Sequence, residues 1–207
     1  VDGRDDGLGE PIEGQRHVEV ATSKESFDVE FEFLFGKKPE VLEIVKQKKP
    51  VQISGRAVNS PANTGREGAL LDIWLIDTDT GMRAQDKPVA HFEIPASGDW
   101  GPVTVDPDRH YELVLSSKQS DYQHHFYEQP FLRSSQFVRL RSGEPDSTSR
   151  MHTNLGDHHA SLTVARMREW LPTDVLEIST DSASGDQAPK NVISEASNNR
   201  ISVYLHD

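Results

Sequence analysis

From Val51 onward the chain is written in short β-prone runs: VQISGRAV (51–58), ALLDIWLID (69–77), PVAHFEI (88–94), GPVTV (101–105), YELVLS (111–116) and QFVRLR (136–141). Turn-rich pieces such as NSPANTGREG, TDTG, PASGDW and DPDR separate them, and evenly spaced strands with that punctuation predict an antiparallel β-sandwich or barrel. A second cluster, ASLTVARM (160–167), DVLEIS (174–179) and RISVYLH (200–206), continues the pattern beyond a polar SGEPDSTSR linker. The stretch STDSASGDQAPKN inside that cluster reads as a long exposed loop.

Ahead of the strands the pattern is ambiguous. Phe27, Val29, Phe31, Phe33 and Phe35 alternate as a strand would, while Phe27, Phe31, Leu34 and Phe35 also fit the helical i, i+4, i+7, i+8 template. The flanking residues decide for a helix. Thr22 and Glu25 form a capping box, Gly36 sits where a C′ glycine belongs, Lys37 and Lys38 suit a helix C-terminus, and Pro39 follows. Residues 1–16 are rich in glycine and charge and read as flexible loop. The expected organisation is therefore a loop (1–16), a strand end and helix (17–40), a β-sandwich (48–142) and a second β unit packing on it (157–207). Both ends of the chain, Val1 and the strand-like ISVYLHD, look cut.

Composition removes several functions. With 34 acidic against 22 basic residues and a net charge of −12, the chain does not carry the basic surface that nucleic acid selects, and an anionic membrane repels it. No apolar run approaches the length of a membrane-spanning helix, and the start lacks a signal-peptide pattern. The absence of cysteine excludes disulfides, thiolate metal sites and a cysteine nucleophile. It leaves the compartment open, a secreted location included.

Candidate metal sites are poor. His124–His125 and His158–His159 are adjacent pairs, and neighbours on a strand point to opposite faces, so each pair offers one ligand at most. DTDTG (77–81) and DPDRH (106–110) alternate carboxylates as calcium loops do, but lack the glycine and terminal glutamate of an EF-hand; they read as turns. No metal and no cofactor is expected.

HVEVATSKESFDVEFEFLFGKKPEV (17–41) resembles the segment of bacterial and archaeal α/β-hydrolase lipases that carries the triad histidine and the closing helix. The stretches GRAV…GA.L.IW..D..TG and HHFY.QPF.RS resemble the β-rich C-terminal domain appended to two-domain lipases of that kind. The resemblance implies a mainly β chain whose one helix belongs to an upstream α/β-hydrolase domain, and it makes His17 the catalytic imidazole. In such a triad the imidazole takes the proton of a serine hydroxyl and returns it to the leaving alcohol, while a carboxylate fixes its tautomer. The partners implied are that upstream catalytic domain, in the same or a separate chain, and a lipid-like ester.

The chain contains no GxSxG nucleophile elbow, no oxyanion-hole glycine cluster and no well-placed acid before His17. Alone it is expected to be inactive. Among the aromatic residues Trp74, Trp100, Phe126, Tyr127, Phe131 and Trp170, most are expected in the core. Phe126, Tyr127 and Phe131, in HHFYEQPF, are the candidates for contact with substrate. The rival reading is a free-standing sandwich similar to transthyretin-like or carboxypeptidase-regulatory domains, binding without catalysis. A helix with five apolar residues discriminates the two, because a free-standing module has no sheet to cover them.

Overall fold

The computed structural model describes residues 12, 15, 19–48, 50–118, 120–143, 159–165, 175–178, 190–191, 193 and 200–206. His17, His158, Trp170, most of the loop expected over 1–16 and most of the two polar linkers lie outside the described residues. The chain divides into two compact units, one formed by residues 44–152 and the other by 1–43 with 153–207.

The first unit holds strands β1 (Val51–Ser60), β2 (Leu70–Ile76), β3 (Ala90–Glu93), β4 (Asp99–Val105), β5 (His110–Ser117), β6 (Ser120–Glu128) and β7 (Ser135–Gly143). They form a three-stranded sheet ordered β4-β1-β7 and a four-stranded sheet ordered β3-β2-β5-β6. All pairs are antiparallel except β1 with β7, which run parallel.

Alternation explains why these strands close on each other. Val51, Ile53 and Ala57 from β1, Leu71 and Ile73 from β2, Leu113 and Leu115 from β5, and Leu140 from β7 all point into one core that excludes water almost completely. Each is a side chain whose burial contributes on the order of 1.5–3 kcal/mol, less for alanine. Gln52, Arg56 and Arg139 occupy the intervening, solvent-facing positions.

Two details hold the sheets in register. Gly55 sits at an irregularity in β1, where a Cβ would lie 1.7 Å from the carbonyl oxygen of Val138 on β7. Only glycine lets the parallel neighbour approach that closely. Tyr111 is buried, and its hydroxyl accepts a 2.9 Å hydrogen bond from the Asp106 amide, fastening the turn between β4 and β5. Ahead of β1 the chain is pinned through Gln47, whose amide donates to the Leu132 carbonyl and whose side chain bonds to Ser134 and Pro50.

In the second unit, helix α1 (Lys24–Phe35) follows a short 3-10 turn at Glu19–Ala21. Its N-cap is Ser23, one residue beyond the expected Thr22. The Ser23 hydroxyl accepts from the Ser26 amide at 3.2 Å and lies 2.9 Å from the Ser26 hydroxyl, so a serine takes the place that Glu25 has in the expected box. Gly36 ends the helix as anticipated, in the left-handed conformation at φ 66°, with its amide donating to Glu32. The same unit contains β8 (His159–Ala165) paired antiparallel with β11 (Arg200–His206), and the two-residue strands β9 (Glu177–Ile178) and β10 (Lys190–Asn191).

Candidate functional site

Helix α1 displays an unusual distribution of apolar groups. Successive residues turn by about 100°, which places Phe27, Phe31, Leu34 and Phe35 on one face and Val29 with Phe33 on the opposite one. Phe33 and Leu34 are 69% and 70% exposed, and Phe27, Val29 and Phe35 are also open to solvent; Ser26 is the buried residue of the helix. Phe27, Phe31 and Phe35 form a row of mutually tilted rings, with centroids 5.6 Å apart for Phe27 and Phe31 and 4.6 Å for Phe31 and Phe35.

Phe27 and Phe31 form the floor of an open groove of about 280 Å³, walled by Lys37, Lys38, Pro39, Glu40 and Val41. Two ion pairs tie the segment after the helix back to it, Lys38 with Asp28 at 3.3 Å and Lys24 with Glu43 at 3.0 Å. Both are exposed and contribute little stability; they orient the segment that leaves the helix. Val41 and Leu42 extend the exposed apolar surface. An aromatic floor rimmed by lysines suits an apolar partner.

The aromatic candidates of the β unit do not converge. HHFYEQPF lies largely in strand β6, so its side chains alternate. Phe126 points inward and packs against the core, as Phe131 does after the strand, whereas Tyr127 is on the outer face of the sheet and 69% exposed. Trp100 is in the core, and Trp74 lies on the outer face beside the Arg83 guanidinium.

The same alternation separates His124 from His125. His124 faces inward, where burial, followed by the positive charge of Arg66, lowers its pKa to about 4. His125 faces outward, with Nδ1 2.6 Å from Glu112 Oε1. The pair therefore does not form a joint ligand set, and among the described residues no group of three or more metal-ligating side chains gathers. In DTDTG the Asp77 carboxylate accepts from the amides of Asp79 and Thr80, and in DPDRH the Asp106 carboxylate accepts from the Asp108 amide. Both are turns, as expected.

One cluster has no counterpart in the sequence reading. Glu112 projects from β5 on the outer face and is nonetheless only 3% exposed. It is held by Arg83 Nε at 2.8 Å on Oε2 and by His125 on Oε1. Burial pushes its carboxyl upward, but hydrogen bonds from His125, Arg83 and Tyr127 outweigh that and hold it below the usual carboxylate range. A glutamate at an outward position of an otherwise apolar strand, YELVL, was the available signal.

Against known families, residues 49–145 match the family described as Lipase C-terminal domain. No curated protein matches the chain.

Proposed function

We propose, from the match of residues 49–145 to the family described as Lipase C-terminal domain, that the chain is the C-terminal part of a carboxylic-ester hydrolase. In this reading His17 is the triad histidine and the β unit positions a lipid-like substrate. The family match carries the proposal, since that domain implies a lipase catalytic domain upstream of it. Helix α1 supports it independently. Two apolar faces on one helix need covering layers, and a catalytic domain provides them.

His17 precedes α1 by a few residues, so docking that helix against a catalytic domain would bring the imidazole to a nucleophile supplied there. The ring would accept the hydroxyl proton as the ester is attacked and donate it to the departing alcohol. The β unit's contribution is to hold the acyl portion, with the exposed Tyr127 as its contact residue; Phe126 and Phe131 act from beneath, through packing.

The test is hydrolysis of a chromogenic ester by the chain joined to its natural upstream sequence. His17→Ala is expected to lower turnover by about 10⁴-fold or more with an unchanged circular dichroism spectrum. Turnover within about tenfold of wild type would remove His17 from the reaction.

A further inference from the structure

The Glu112 cluster suggests a second site, adjoining Tyr127, whose chemistry does not depend on the hydrolase reading. Glu112 divides its two oxygens, Oε2 to Arg83 and Oε1 to His125. A carboxylate engaged in that way cannot grip the guanidinium fork-on, so Arg83 is held through Nε alone. The Arg83 guanidinium carbon lies 4.0 Å from the centroid of the Trp74 ring, which with the Nε bond fixes its position. Arg56, Arg66, Arg133, Arg139 and Arg141 each place an Nη group on a protein oxygen. Arg83 makes no such bond among the described residues, and its side chain is 39% exposed.

The result is a guanidinium whose unused edge carries two parallel N–H donors, preoriented by a buried carboxylate and an indole. That geometry matches two oxygens of one carboxylate or phosphate group. We propose that Arg83 is an oxyanion-binding fork on the outer face of the four-stranded sheet, taking a carboxylate or a phosphate with Tyr127 and His125 beside it. Glu112 offsets the charge of Arg83, so recognition rests on directed donors rather than on net charge. Affinity is therefore modest, and selectivity over a spherical anion is high.

The experiment follows the arginine side-chain Nε–H signals of the full chain by nuclear magnetic resonance during titration with acetate, octanoate and inorganic phosphate. Sodium chloride at matched ionic strength is the control. A saturable shift of one signal with at least one oxyanion, absent with chloride and weakened about tenfold or more in Arg83→Lys, is the expected result. The lysine keeps the charge facing Glu112 and loses the fork; calorimetric titration reads its affinity. Should Arg83→Lys not fold, Trp74→Leu is read instead and is expected to weaken binding several-fold. The ranking of octanoate, acetate and phosphate then separates a fatty-acid carboxylate from a phosphate group as the source. No saturable shift beyond chloride, or equal affinity in the folded variant, overturns the proposal.

Discussion

The β unit and helix α1 are built from the same apolar residue types and use them in opposite ways. In the β unit Ile53, Leu71, Ile73, Leu113 and Leu140 are sealed between two sheets. In α1 Phe33, Leu34 and Phe35 face solvent. The difference lies in the geometry of the second layer. Each sheet is apolar on one face and finds the other sheet there, whereas α1 is apolar on two opposed faces and no strand of its own unit buries either among the described residues. The β unit thus buries its own apolar face, and in the proposed reading α1 is completed by an upstream domain.

That contrast can be broken most severely at Gly55. Gly55→Val drives a side chain into the Val138 backbone and is expected to cost more than about 4 kcal/mol, enough to unfold the β unit in a thermal melt. Leu113→Ala, at a fully buried site in the middle of β5, should cost about 2–5 kcal/mol by urea denaturation.

Acid provides a graded version. Because His124 has a folded pKa of about 4 against 6.5 in an open chain, the unfolded state binds the proton more readily. Its contribution is full above pH 6.5 and disappears as pH falls from there to about 4. His124→Gln should flatten this slope in urea midpoints measured across that window. Glu112, with its carboxyl below the usual range, adds a further loss at more acidic pH. Phe33→Ser marks the other extreme. At this exposed position the stability of the 207-residue chain should change by no more than about 0.5 kcal/mol, while the same substitution in the presence of the upstream domain should weaken the assembly measurably.

Much of the β unit is legible because its strands bury one face and turn sharply at Asp, Gly and Pro. QFVRLR foreshadows β7, although nothing local could reveal that β7 runs parallel to β1, since direction is decided by the route of the chain. Strand β6 escaped. His124 and Glu128 interrupt the inward row at the sheet edge, so SDYQHHFYE lacks the apolar alternation of a half-buried strand. The cap shifted from Thr22 to Ser23 because adjacent hydroxyl residues are equivalent in pattern and only the backbone chooses between them. The Glu112 cluster joins residues 29 and 13 positions apart, a proximity that exists only once β5 and β6 are paired.

The central claim is that α1 is completed by a domain preceding it, and amide hydrogen exchange tests it most directly. The chain alone should exchange rapidly over Phe27–Phe35 while β1, β2 and β5 stay protected, and restoring the upstream sequence should slow the helix to the rate of those strands. Equal protection of the helix in both preparations would contradict the account.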